Sequence, residues 1–222
     1  MLSPATIEAL TWILLVLHVA AGFAALAAGG VIVALTKGDA RHRSLGRIFG
    51  CAMLAVVVTA LLLAFLRPNV FLFTIGLFSF YLVATGWLAA RQRGTAAAGA
   101  RDLALALFGA ISAAAMLIAA GLLWVEDGGF QAPVLAVFGT ILAVMAGYDL
   151  WLHRRGGARG PARLGRHLQR MMAAWIASLT AFAVVNLTFL PDLVLWLGPT
   201  VLVSPLITYW TRKLFRGGLR AG

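Results

Sequence analysis

The chain has 222 residues, 62% of them hydrophobic and 11% charged, with a mean hydropathy of +0.96 and a formal net charge of +11. A soluble globule of this size has too little interior for so much apolar surface, so the composition excludes an ordinary water-soluble domain and makes lipid the solvent. The positive charge sits in short stretches beside apolar runs with no interleaved aromatic residues, which excludes a nucleic-acid surface and makes anionic headgroups of the bilayer the partner of those arginines.

A hydrocarbon core about 30 Å thick is crossed by about 20 helical residues. Seven stretches qualify, at roughly 9–36, 45–66, 70–90, 103–124, 132–152, 168–190 and 193–211. The expected fold is all-α, a single polytopic domain over residues 1–222 with seven transmembrane helices. Of the 18 Lys and Arg residues, only Arg67 lies outside one alternating set of gaps. Lys37, Arg41, Arg43 and Arg47 follow the first span, Arg91, Arg93 and Arg101 the third, Arg154 to Arg170 the fifth, and Arg212 to Arg220 the seventh. The opposite gaps carry Glu126, Asp127 and Asp192, and Glu8 precedes the first span. The positive-inside rule then puts the N-terminus outside and the C-terminus in the cytoplasm, as in a bacterial inner-membrane protein.

The first span is too long, and its start too poor in basic residues, for a cleaved signal peptide. It carries His18 roughly 12 Å into the membrane from the outer side, on a face that continues through Gly22, Ala25 and Gly29. Small residues there predict a closely packed neighbouring helix with the imidazole pointing into the bundle. His18 is then either a neutral histidine bonded to a Ser, Thr or Tyr on that neighbour, or a haem ligand or proton relay. The second span opens on His42 with Gly46 and Gly50 on its face, and the single Cys51 excludes an intramolecular disulfide.

The fifth span ends with Asp149 and His153 at i and i+4, which places a carboxylate and an imidazole on one face at the cytoplasmic boundary. The segment 154–166, RRGGARGPARLGR, reads as a solvated connector. His167 opens the sixth span with Met171, Ala174, Ser178 and Ala181 on one face. His42, His167, His153 and Asp149 at a common depth are the candidate metal-ligating set. The plainer alternative pairs Asp149 with Arg47, Arg154 or Arg170. No H-E-x-x-H or C-x-x-C spacing accompanies them. Pro199 and Pro205 in the seventh span predict a kinked helix whose freed carbonyls neighbours must satisfy.

A retinal Schiff base is excluded because Lys37 and Lys213, both at the cytoplasmic edge, are the only lysines. No G-x-S-x-G elbow and no carboxylate pair within one span supports hydrolysis. The segments LHVAAGFAALAAGG, HRSLGRIF and RHLQRMMAAWIASLTAFAVVN resemble a group of prokaryotic membrane proteins defined only as a domain of unknown function. That resemblance emphasises His18, then His42, Arg43, Gly46 and Arg47, then His167, Arg170 and Met171, and implies no particular activity.

His18 and His42 lie roughly 25 Å apart along the membrane normal and cannot share an iron. His18 would need a partner such as Met116 or Met145. The functional expectation is therefore a haem- or metal-binding redox-type protein using the cytoplasmic-side histidines. Haem b or a divalent metal would be the cofactor, and His18, Arg43, Arg47 and Arg170 would assist its binding. The alternatives are a proton-coupled small-molecule transporter and an accessory subunit of a membrane complex, with a homo-oligomer or complex partner possible through small-residue faces.

Overall fold

The computed structural model describes residues 3–92, 98–126 and 129–217. They form seven helices: α1 (Pro4–Ala34), α2 (Ala40–Leu66), α3 (Val70–Arg91), α4 (Ala100–Val125), α5 (Gln131–Arg154), α6 (Gly160–Asn186) and α7 (Asp192–Phe215). All seven are long and apolar enough to cross a membrane. Helix is the expected form for such segments, because in lipid each backbone N–H and C=O must find its partner within the chain.

Side chains close the exposed ends. Ser3, Asp39 and Asn69 cap α1, α2 and α3 by accepting from the backbone N–H of Thr6, His42 and Leu72. At the other end of α1, the Lys37 ammonium donates to the carbonyls of Ile32, Val33 and Leu35, and burial pushes its pKa below the usual lysine range.

α3 is the central element and packs against α2, α4, α5 and α6, while α1/α2, α4/α5 and α6/α7 form close pairs. Tyr81, Leu82 and Val83 of α3 are fully buried with Met116 of α4 and Leu135 and Leu142 of α5. The periphery is apolar, with Trp12, Ile13 and Val16 of α1 and Val201 and Leu202 of α7 exposed as lipid-facing side chains would be. Several contacts gather the basic segments at one end of the bundle. The Ala98 N–H donates to the Gly156 carbonyl at 3.2 Å, Arg163 donates to the Ala89 carbonyl at 2.7 Å, and the Lys37 ammonium lies 4.5 Å from the centre of the Trp210 ring. This is called the basic end below.

The small-residue face of α1 is half realised. Ala25 and Gly29 are buried, and Gly29 leaves the space that the Trp175 ring of α6 fills, while the Trp175 Nε1–H donates to the Leu26 carbonyl at 3.2 Å. Gly22 has no neighbour within 4 Å of where a Cβ would stand.

One expectation needs correction. The stretch 154–166 is not wholly a connector, because α6 begins at Gly160 with Pro161 in its first turn, where a missing N–H costs nothing. That earlier start carries Arg163, Arg166 and His167 into the bundle. The Trp196 ring of α7 packs edge-on against Phe71 at 5.7 Å and against Phe138 at 6.3 Å. α7 runs through Pro199 and Pro205 as one helix, and the Thr208 hydroxyl donates to the Ser204 carbonyl in its second half.

Candidate functional site

Two polar centres lie toward the basic end. The larger is a buried ion cluster drawn from four helices. Asp149 of α5 sits at its middle, with Oδ1 at 3.0 Å from Arg166 Nε and 3.2 Å from Arg170 Nη2. Tyr81 of α3 donates its hydroxyl to Asp149 Oδ2. Arg166 also reaches Asp102 Oδ1 of α4 at 3.2 Å, and Asp102 Oδ2 accepts from Gln92 Nε2 at 2.7 Å and from the Gly99 N–H at 3.2 Å. The four charged side chains are between 1% and 10% exposed.

Two carboxylates and two guanidiniums sum to zero, and the phenol adds a donor without adding charge. Such an arrangement satisfies the ions against one another, as burial in a low-dielectric interior requires. Arg170 also donates to the Met145 carbonyl at 3.2 Å, and its guanidinium stands 5.1 Å from the centre of the Tyr81 ring. The cluster thereby fixes α3, α4, α5 and α6 to one another. Asp149 does pair with Arg170, as one of the plainer alternatives held, but its second cation is Arg166 and not Arg47 or Arg154.

The smaller centre is a histidine pair. His42 in the first turn of α2 and His167 near the start of α6 bring their rings to a centroid separation of 6.5 Å at an interplanar angle of 82°. His167 Nδ1 lies 2.9 Å from the Gly86 carbonyl of α3. A carbonyl only accepts, so Nδ1 carries the proton and Nε2 keeps its lone pair. His42 Nδ1 is buried and has no hydrogen-bond partner among the described residues.

The remaining candidates fall elsewhere. His153, in the last turn of α5, has a buried Nδ1 with no partner among the described residues. His42, His167, His153 and Asp149 do not converge as one ligand set. Among the described residues no group of three or more His, Cys, Asp and Glu side chains is placed to hold a metal ion. The physical reason is that Asp149 turns into the ion cluster, where two guanidiniums and a phenol take its oxygens. Arg43 is exposed and donates to the Gly38 carbonyl, and Arg47 is exposed on the next turn of α2. Arg170 belongs to the ion cluster.

His18 takes the quieter of its two expected roles in geometry. The Thr59 hydroxyl of α2 donates to the Ala55 carbonyl at 2.7 Å, leaving its oxygen to accept from His18 Nδ1 at 3.0 Å. The Val56 carbonyl lies 3.1 Å from the same nitrogen, so Nδ1 again carries the proton. α1 packs on α2 and α6, so Met116 of α4 and Met145 of α5 do not oppose His18.

Tyr81, Gln92, Asp102 and Arg166 belong to the ion cluster and were not among the residues the sequence singled out. Spacing could have pointed to part of the set: with a helix begun at Gly160, Arg163, Arg166 and Arg170 fall at i, i+3 and i+7 on one face. No family model, no curated protein and no solved structure matches the chain.

Proposed function

We propose that this integral membrane protein binds one transition-metal centre between His42 and His167, as a lone ion or as the iron of a b-type haem, and uses it for redox chemistry at the cytoplasmic face. The observation that carries this reading is the meeting of two histidine rings, from α2 and α6, at 6.5 Å. Ring centres 6.5 Å apart would leave room for one ion held by a nitrogen of each imidazole, at metal–nitrogen distances of ~2.0–2.1 Å. His167 supports it further, because a histidine whose Nδ1–H is anchored on a backbone carbonyl presents Nε2 in a set orientation. The partnerless Nδ1 of His42 also lacks the hydrogen bond that a purely structural histidine would make.

Imidazole donors without thiolate suit iron, copper or zinc. When bound, iron or copper would supply electron transfer, and the protein's part is to hold two neutral imidazoles and exclude lipid and water around them. The placement at the cytoplasmic face rests on the charge asymmetry of the gaps. A transporter reading gains little from Asp149, whose carboxylate is already held by Arg166, Arg170 and Tyr81.

The test is a visible absorption spectrum with elemental analysis of the detergent-purified protein, before and after reconstitution with haemin, copper or zinc. A Soret band or stoichiometric metal in the wild type and the His153→Ala variant, lost in both His42→Ala and His167→Ala, is the expected result. A protein that stays colourless and metal-free after reconstitution overturns the proposal.

A further inference from the structure

We infer that a groove between α2, α3 and α4 is a binding site for one molecule of anionic phospholipid. The groove is open along one side and has a volume of about 910 Å³. It forms because α2 and α4 both pack on α3, leaving the face of α3 between them open. Leu54, Phe80, Ala84 and Leu105 line its body, and Arg91 and Arg101 line its mouth at the basic end. Both arginines are exposed, and neither makes an ion pair with a described residue.

From Phe80 to Arg91 the helix rises about 16 Å, so the apolar trough runs down from the charged mouth for much of one leaflet's depth. That pattern is the complement of a phospholipid, with guanidiniums for the phosphate and an apolar channel for an acyl chain. Basic pockets between transmembrane helices are recognised settings for acidic headgroups, and the planar guanidinium matches phosphate oxygens in pairs. Gln92 also lines the mouth and donates to Asp102, so the headgroup would sit one side chain away from the ion cluster. The inference is independent of what His42 and His167 hold.

Native mass spectrometry of the full chain, released from detergent containing equal phosphatidylglycerol and phosphatidylcholine, tests this. The wild type is expected to retain phosphatidylglycerol with a preference of about tenfold, in keeping with two closely placed arginines. The Arg91→Gln/Arg101→Gln double variant is expected to lose the preference. Ala84→Phe, which fills the trough and keeps both charges, is expected to lose it too. An Arg41→Gln/Arg216→Gln variant, altered elsewhere at the basic end, is expected to keep it. The inference is overturned by equal retention of the two lipids, by a preference that survives either groove variant, by an equal loss in the Arg41/Arg216 control, or by displacement with inorganic phosphate alone. Exclusion of lipid by a co-purifying protein helix seated in the groove also overturns it.

Discussion

Arg170 Nη2 on α6 stands 3.2 Å from Asp149 Oδ1 on α5, and both side chains are at least 95% removed from solvent. Removing one member of such a pair leaves the other buried and uncompensated, which costs about 3–5 kcal/mol. Asp149→Asn is expected to cost that much in a denaturation series in detergent, because two guanidiniums lose their shared carboxylate. The Asp149→Leu/Arg170→Met double variant removes both charges, and Arg166 keeps Asp102, so its loss is expected to fall well short of the sum of the singles. Additive losses would show that the two side chains are not coupled.

Tyr81 serves the cluster through its hydroxyl and the core through its ring. Tyr81→Phe removes only the donor to Asp149, for an expected loss of about 1.5–3 kcal/mol, the range for hydrogen bonds to charged groups. Gly109→Ala attacks the ring, since an added Cβ would lie 2.5 Å from Tyr81 Cε2 in a fully buried position. Overpacking of that kind costs about 1–3 kcal/mol. A silent Gly109→Ala would show that the phenol ring has room to move, and the hydroxyl's position would then be set by Asp149 alone.

The legible and illegible parts of this molecule separate along a physical line. Hydropathy periods report exposure to lipid, so all seven helices were evident, with α3 and α4 close to their expected bounds. Arginines reported the common end, because all but Arg67 collect with the lysines in one alternating set of gaps. α6 was misread for the same reason: its first turns hold Arg163 and Arg166, and a basic, glycine-containing stretch looks like a loop to any hydropathy window. Those arginines are helical because buried partners, the Ala89 carbonyl and Asp102, await them on other helices. Tyr81 gave no signal, since a phenol in mid-span is common and its partner lies 68 positions away. The meeting of His42 and His167 was legible as a common depth at the cytoplasmic boundary, whereas the separation of His153 and Asp149 from them was not, because depth alone does not say which way a side chain turns.

His18 should be a stability residue of modest weight. Interhelical hydrogen bonds in membranes average about 0.6 kcal/mol and reach about 1.7, because the separated helices find other partners. His18→Leu is expected to cost within that range. Thr59→Val should cost less, because the Val56 carbonyl still accepts from the imidazole. Any metal or haem content should be untouched in both. Loss of a cofactor signal in His18→Leu would place the site at the depth of Thr59 and away from His42.

Two buried polar atoms offer the opposite sign of effect. His153 Nδ1 and Thr211 Oγ1 are both out of contact with solvent and have no hydrogen-bond partner among the described residues. A buried polar group without a partner carries a desolvation cost of about 1–3 kcal/mol, which an apolar side chain of similar shape does not. Thr211→Val and His153→Leu are therefore expected to be neutral or stabilising in the same denaturation series. Thr211→Val is the cleaner of the two, since it exchanges one hydroxyl for one methyl group. A loss of about 1 kcal/mol or more, the size of a typical hydrogen bond, would mean that Thr211 has a partner such as an ordered water. His153→Leu adds a second reading, because a histidine that holds no metal can be replaced without any change in bound metal. A fall in metal content in that variant would return His153 to the ligand set from which its position separates it.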